Sequence, residues 1–357
     1  MTVPMRRVVA LVVLAWLVWV QPVLADNAQA PATPAPSGIA IDAEGDVYVS
    51  DYALDRIVKF GGDGTVLAQW GGSGSAPGQF NAPFGLAVDG SDTLFVVDQL
   101  NNRLQRFATD GTPLSAWGGP GAGAGELRTP FGVAVGGGRV YVADFGNDRV
   151  QVFGTDGSVL FSFGRRGSGD GQFQRPAGVA VAADGGVYVT DHFNDRIEHF
   201  SSDGKFVAQL ASGPAAVATP TPALLASSAP TATPSQVALS ASAPAMAAVA
   251  VVAPASAIAD AQLRRPEGIA VDHDGDVWVA DYGRDRIVKF SPDGRLLLSW
   301  GSSGSGPGEF LGPKGVAIDP SSGRIYVADT GNARVQRLAP DGTLEASWPM
   351  PPLPSAS

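Results

Sequence analysis

Six aspartates, each followed five residues later by an arginine, recur along the chain: Asp51/Arg56, Asp98/Arg103, Asp144/Arg149, Asp191/Arg196, Asp281/Arg286 and Asp329/Arg334. A carboxylate beside a guanidinium has the makings of a general acid–base pair or of an anion clamp. The repetition argues against both. A residue that returns in every unit serves all units alike, whereas a catalytic site is asymmetric. Asp at the end of a strand accepts N–H groups from the turn that follows, and the Arg fork pairs with it. The pairs are therefore read as structural.

Other reactive constellations are sparse. The chain has three histidines and no cysteine. His192 follows one strand, His199 lies inside another and His273 sits in a turn at the far end, so they do not converge to the roughly 2 Å that a zinc ion demands of its ligands. Asp272-His273-Asp274-Gly275-Asp276 has the flavour of a calcium loop, echoed by Asp42, Glu44 and Asp46. Both stretches lack the later bidentate carboxylate, and Asp-Gly turns form without metal. No cofactor is expected, calcium being the one ion these residues suggest. Gly71–Gly78 and Gly301–Gly308 are connecting loops rather than phosphate cradles, because no helix or P-loop lysine follows.

The elements that carry these residues repeat as a phrase. An apolar Gly-Ile-Ala-Val-Asp strand leads to a Val-Tyr-Val-x-Asp strand, an Arg-Ile/Val-x-x-Phe strand, an Asp-Gly turn and usually a Trp. It opens at Gly38, Gly85, Gly132, Gly178, Gly268 and Gly315, with steps of 47, 47, 46, 90 and 47 residues. Four short strands repeating at roughly 40–50 residues mark a β-propeller. In the first unit the strands are placed at Gly38–Ile41, Val47–Ser50, Arg56–Phe60 and Val66–Trp70. The opening strand is apolar on both faces, as burial between neighbouring blades requires. Its glycine allows backbones to approach near the axis. Trp70, Trp117, Trp300 and Trp348, on outer strands, are read as packing between blades.

These units resemble NHL repeats, whose pattern is Pro-x-Gly-Ile/Val-Ala-Val-Asp followed by Val-Tyr-Val-x-Asp-x-x-Asn-x-Arg-Val/Ile-x-x-Phe. The resemblance runs from Ser37 to Trp348 apart from one insertion. It implies an all-β fold, a six-bladed β-propeller of four-stranded antiparallel blades. It does not imply one activity, since such propellers serve as binding platforms, receptor ectodomains and occasionally lyases. The zinc lyases among them gather histidines from several blades, which the three histidines here do not match.

Residues 1–25 read as a signal peptide: Arg6 and Arg7, an apolar run from Val8 to Val20, then Val23-Leu24-Ala25 for cleavage. The run is short for a membrane span of about 20 residues, although an uncleaved anchor stays open. Export to the periplasm or the extracellular space follows. Residues 26–36 form an Ala/Pro linker and residues 349–357 a Pro-rich tail. The long step hides no seventh blade. From Ala211 to Ile258 the chain is mostly Ala, Pro, Ser, Thr and Val, without charge, aromatic residue or Asp-Gly turn. The stretch 211–262 is read as one connecting loop lengthened by a disordered insertion. The last unit has its own fourth strand up to Trp348, so closure is expected by side-chain packing alone, without a strand from the N-terminus.

Topology sorts the faces. In a four-stranded antiparallel blade the first strand starts where the second ends, so the Pro-x-Gly entries, the residues after Val-x-Asp and the connections between blades share one face. Two rings of positions vary there. One comprises Ser37, Phe84, Phe131, Ala177, Glu267 and Lys314; the other comprises Tyr52, Gln99, Phe145, His192, Tyr282 and Thr330. The candidate binding residues are Tyr52, Phe84, Gln99, Phe131, Phe145, His192, Glu267, Tyr282 and Lys314, since grouped surface aromatics mark recognition sites. The net charge of −10 argues against a nucleic-acid partner. The leading expectation is an exported, non-catalytic scaffold for a protein, peptide or glycan on the entry face. The alternative is a metal-dependent, lactonase-like propeller hydrolase or lyase working through channel carboxylates.

Overall fold

The computed structural model describes residues 33–211 and 261–353. The stretch read as a signal peptide, most of those read as linker and insertion, and the last four residues lie outside them. Blade one consists of β1 (Pro36–Ile41), β2 (Val47–Asp51), β3 (Arg56–Phe60) and β4 (Val66–Gly71), and blade two of β5 (Pro83–Val88), β6 (Thr93–Asp98), β7 (Arg103–Ala108) and β8 (Pro113–Gly118). Blade three has β9 (Val133–Gly136), β10 (Arg139–Asp144), β11 (Arg149–Gly154) and β12 (Val159–Phe163), and blade four β13 (Pro176–Val181), β14 (Val187–Asp191), β15 (Arg196–Phe200) and β16 (Phe206–Leu210). Blade five has β17 (Pro266–Val271), β18 (Val277–Asp281), β19 (Arg286–Phe290) and β20 (Leu296–Trp300), and blade six β21 (Pro313–Ile318), β22 (Ile325–Asp329), β23 (Arg334–Leu338) and β24 (Leu344–Pro349). Each blade is one antiparallel sheet in simple sequence order.

The first strands stand side by side in a closed circle, β1 against β5, β5 against β9, and so on until β21 meets β1. The fold is thus an all-β, six-bladed propeller. Second and third strands are buried on both faces because each sheet is covered by its neighbours, while the outer strands alternate between exposed and half-buried positions. The tryptophans do pack between blades: Trp70 lies 6.2 Å from Tyr48 of its own blade and 6.4 Å from Phe107 of the next.

The axial glycines set how closely the blades approach. A Cβ on any of Gly38, Gly85, Gly132, Gly178, Gly268 or Gly315 would come within 3.0 Å of a backbone carbonyl oxygen of the next blade. Those oxygens belong to Phe84, Phe131, Ala177, Glu267, Lys314 and Ser37, the inner variable ring. Backbone cannot yield as a side-chain tip can, so only glycine fits.

Blade six is complete from its own residues, as expected, but its junction with blade one is held by more than side-chain packing. The segment after β24 behaves like a connecting loop. Met350, 5 % exposed, joins Trp348 against Val47, Val49, Val58 and Phe60 of blade one. Its N–H donates to Ala333 O at 2.9 Å, and Arg56 donates to the carbonyls of Pro351 and Pro352. Thr330 Oγ1 donates to Pro36 O at 2.6 Å. A chain ending at Pro349 should therefore lose about 2–5 kcal/mol, the scale of deleting a buried Met side chain. Denaturant unfolding reads this directly; a loss below about 0.5 kcal/mol would mean that Met350 and the two prolines do not fasten the ring.

Candidate functional site

The repeated Asp–Arg pairs form a buckle beneath the entry face. Every one of the six aspartates is buried, with no exposed surface. Asp144 is typical. It accepts Arg128 N at 2.8 Å, Asn147 Nδ2 at 2.9 Å, Arg149 Nε at 2.8 Å and Gln151 Nε2 at 3.3 Å. Arg149 spends its remaining donors on Gly123 O and Glu126 O, carbonyls of the loop arriving from blade two. Arg103, Arg196 and Arg334 hold the preceding loops in the same way, and Arg56 holds Pro351 and Pro352. Arg286 donates to Asp281 at 2.7 Å and to Gln262 O at 2.6 Å. Burial pushes the carboxyls of Asp191 and Asp281 up from the usual range despite their Arg partners.

A second staple escaped the sequence reading. Asp55, Asn102, Asp148, Asp195 and Asp285 adopt left-handed backbone, and the side-chain Oδ1 of each accepts the N–H of the residue before the next blade's Pro: Ala82, Thr129, Arg175, Arg265 and Gly312. Asn and Asp tolerate this conformation best among residues with a side chain. Blade six has Ala333 at this place, which offers no acceptor at the closing junction. The asparagines show a related logic. Asn101, Asn147, Asn194 and Asn332 each donate to a glycine carbonyl of the arriving loop. Leu54 and Arg284 stand at this position in blades one and five, where the ring closes and where the long insertion arrives.

Blade four alters the buckle. Gln105, Gln151 and Gln336 each accept a glycine N–H through Oε1 and donate Nε2 both to a loop carbonyl and to the buried Asp. Glu198 occupies this seat in blade four. Its Oε1 accepts Gly171 N at 3.1 Å and pairs with Arg196 at 3.2 Å, leaving Oε2 buried without a partner. In the sister blades the group in that seat serves two acceptors, a role that a carboxylic acid fills in part and a carboxylate does not. Burial first, with Asp191 and Asp170 adding to it against the opposing pull of Arg196, raises Glu198 to about 7.

The two variable rings meet at the mouth of the axial channel, as their topology requires. Tyr52, Phe84, Phe131 and Phe145 form a continuous run with centroid spacings of 6.4, 4.5 and 4.1 Å, the last pair stacked. Phe145 then meets His192 at 6.1 Å and Phe193 at 6.4 Å. On the other side Lys314 Nζ sits 4.7 Å from the Tyr52 ring, 5.1 Å from Phe84 and 5.8 Å from Tyr282, a cation over three aromatic faces. Glu267 lines the channel beside Lys314, 6 % exposed and with Oε2 unpartnered. Burial raises its carboxyl to about 7 even though the Lys314 charge acts to lower it. Thr190 Oγ1 fixes the Glu267 backbone by donating to its carbonyl at 2.7 Å.

Several candidates prove less exposed than surface aromatics would be. Phe84 is 8 % exposed and belongs to the core between blades two and three, and Phe131 packs against that core. His192 is buried beside Pro266 O, and burial lowers its pKa. Gln99 caps β6 at the same level, with its N–H on Ala82 O, outside the ring contacts. Phe193, which the repeat pattern did not single out, is 47 % exposed at the rim; Leu100 and Leu311 are similarly bare. His199 stacks on Tyr188 at 4.2 Å, and His273 stands exposed on the opposite face. The carboxylates of Asp272 and Asp276 close on Lys289 at 3.0 and 2.7 Å, so a lysine already supplies the cation there.

Two outcomes follow from the buckle. Asp144→Ala leaves Arg149 and three other donors without their acceptor and should cost about 3–5 kcal/mol in urea unfolding; a cost below 1 kcal/mol would remove the buckle from the list of what holds the blades. For Glu198 the folded pKa lies above the unfolded value, so the native state holds a proton that the unfolded chain has released. Its contribution is present below about pH 4.5 and is lost as pH rises through about 7. Glu198→Gln should flatten that decline and stabilise the protein by about 1–3 kcal/mol at pH 8. Parallel unfolding curves for the two proteins across pH 5–8 would refute the assignment.

The NHL repeat matches residues 127–153, 173–200, 263–290 and 310–338, which fall in blades three to six. Among solved structures, virginiamycin B lyase from Staphylococcus aureus is 14 % identical, covering 89 % of this chain and 85 % of its own with a TM-score of 0.53. A gluconolactonase from Xanthomonas campestris is 18 % identical over 84 % of each chain, with a TM-score of 0.54. A protein of unknown function from Bacteroides thetaiotaomicron is 13 % identical over 86 % of this chain and 69 % of its own, with a TM-score of 0.57. At such identities the likeness is one of fold. With the repeat matched in four blades and its Asp–Arg buckle built in all six, the chain belongs to the NHL-repeat propellers.

Proposed function

We propose that this chain is an exported, non-catalytic recognition scaffold that holds a protein, peptide or glycan on its entry face. The observation that carries the reading is the asymmetry of the channel mouth. Aromatic rings fill the side formed by blades one to three, Glu267 and Lys314 come from blades five and six, and Lys314 reaches across small Ser37 to the Tyr52 and Phe84 rings. The axial glycines and the Asp–Arg pairs beneath are the same in all six blades, whereas the residues of the mouth differ from blade to blade. Export rests on the basic-then-apolar leader at Arg6–Val20 and suits a chain without cysteine. Among the described residues no helix is long and apolar enough to cross a membrane.

A hydrolase or lyase is the second reading, and Glu267 is what favours it. A channel carboxyl with a pKa near 7 is suited to general acid–base work. Against this, no three His, Asp or Glu side chains among the described residues stand together as a metal donor set. The test is capture from envelope extracts by the purified chain, compared with Tyr52→Ala, Phe193→Ala and Tyr282→Ala. These rings lie at the rim rather than in the core, so the variants should lose the captured species at least tenfold while Tm moves by no more than about 2 °C. Capture that is indifferent to all three substitutions would move the binding face elsewhere.

A further inference from the structure

At the channel mouth two neighbouring ring positions are left without polar partners by the fold itself. The Glu267 carboxyl makes no hydrogen bond or ion pair among the described residues, although it is buried and lines the channel. Lys314, one blade on, touches aromatic faces and has neither a hydrogen-bond acceptor nor an ion pair. Among the described residues no ion pair joins the two, although the Lys314 charge is near enough to act on the Glu267 carboxyl. A buried acceptor without a partner is costly in an isolated protein, and the half-buried Lys314 ammonium beside it keeps room for an acceptor, so one ligand that carries a donor and an acceptor serves both.

The space narrows the choice. The channel holds about 60 Å³ between the axial glycines and the inner ring. At roughly 10–15 Å³ for each water that is room for about four to six waters, the scale of a small polar head group at the mouth. An α-amino acid head has five heavy atoms and places its ammonium and carboxylate one carbon apart. A simple amine would answer Glu267 and leave Lys314 facing a like charge; a simple carboxylate would answer Lys314 and leave Glu267 orphaned. Across the mouth, Tyr52, Phe84, Phe131 and Phe145 offer apolar walls to whatever projects from the head.

We propose that the channel mouth is a site for a free α-amino acid with an apolar or aromatic side chain, its ammonium on Glu267, its carboxylate on Lys314 and its side chain on the aromatic run. Because Oε2 is buried, the ligand's ammonium reaches it only as the side chains around it shift. The proposal rests on the entry face being the binding face.

Calorimetric titration of the purified chain with L-phenylalanine tests it, alongside 2-phenylethylamine, which lacks the carboxylate, and 3-phenylpropionate, which lacks the ammonium. Phenylalanine should saturate the protein and bind at least tenfold more tightly than either analogue. Glu267→Gln should erase the preference over 3-phenylpropionate alone, and Lys314→Met the preference over 2-phenylethylamine alone. Equal affinity for phenylalanine and either analogue, or no saturation by any of the three, overturns the proposal. The analogue series on the unaltered chain decides the matter even where a variant fails to fold. Failure here together with capture that still depends on Tyr52, Phe193 and Tyr282 sinks the amino-acid site and leaves the entry face standing. Phenylalanine binding with capture indifferent to those rings keeps the amino-acid site and removes the larger partner from the entry face.

Discussion

The missing side chain at six axial glycines is the constraint from which the rest of this propeller follows. Each glycine receives the carbonyl oxygen of the residue that precedes the next blade's glycine, at a distance no Cβ could share. The contact sets the radius of the inner ring of strands, and with it the narrowness of the channel. It also fixes the backbone of Ser37, Phe84, Phe131, Ala177, Glu267 and Lys314. These residues are held by their main chain against a neighbour, so their side chains are free to differ. That division explains how one phrase yields a mouth with three different sides. An alanine at Gly178 would push on Glu267 O, which Thr190 also holds, and would disturb the candidate site through the frame rather than through any ligand contact.

Above the glycines the buckles turn a stack of sheets into a rigid face. Each buried Asp ties its own strand end to the start of its own blade, and its Arg reaches the loop arriving from the previous one. The left-handed Asp and Asn residues add a stitch in the opposite direction, to the next blade's entry. Loops of this kind usually carry the entropy that binding must remove. Here most of their carbonyls and amides already have partners, so the entry face is ordered before a ligand arrives. The closing junction is the exception in construction. It lacks the stitch at Ala333 and relies on Met350, Pro351 and Pro352 instead.

What the repeats share was legible in the sequence, because a period makes shared roles visible. The four strands of blade one were placed to within two residues, the two faces were sorted correctly, and the repeated Asp and Arg stand paired in every blade. What differs between blades was harder. Phe84 and Phe131 look alike in the repeat alignment, yet the neighbouring blade buries the first more deeply. Glu198 reads as an ordinary charged residue on a strand, and only its match to Gln105, Gln151 and Gln336 reveals that it occupies an amide seat. That signal was present, as was the absence of Asn at Leu54 and Arg284 in the two blades where no ordinary loop arrives. The fastening role of Met350 carried no such signal, since a proline-rich segment after the last strand looks like a tail until the ring is closed.

Charge adds a last step. Acids lie on both faces, but those in the turns opposite the mouth, among them Asp42, Glu44, Asp46, Asp272, Asp274 and Asp276, with Asp63, Asp110, Asp203 and Asp341 farther out, face fewer bases than those at the entry end. The entry face carries Arg128, Arg175, Arg264, Arg265 and Lys314, interleaved with Asp55, Asp148, Asp195 and Asp285. Net charge therefore describes the back of the molecule and says little about the face that varies. A phosphate backbone would need an unbroken basic track, and here the carboxylates of four stitches, Asp55, Asp148, Asp195 and Asp285, fall between the bases. Such alternation favours a ligand that carries both signs over a polyanion or a polycation. The unanswered Glu267 and Lys314 repeat that mixed character at the scale of a single head group.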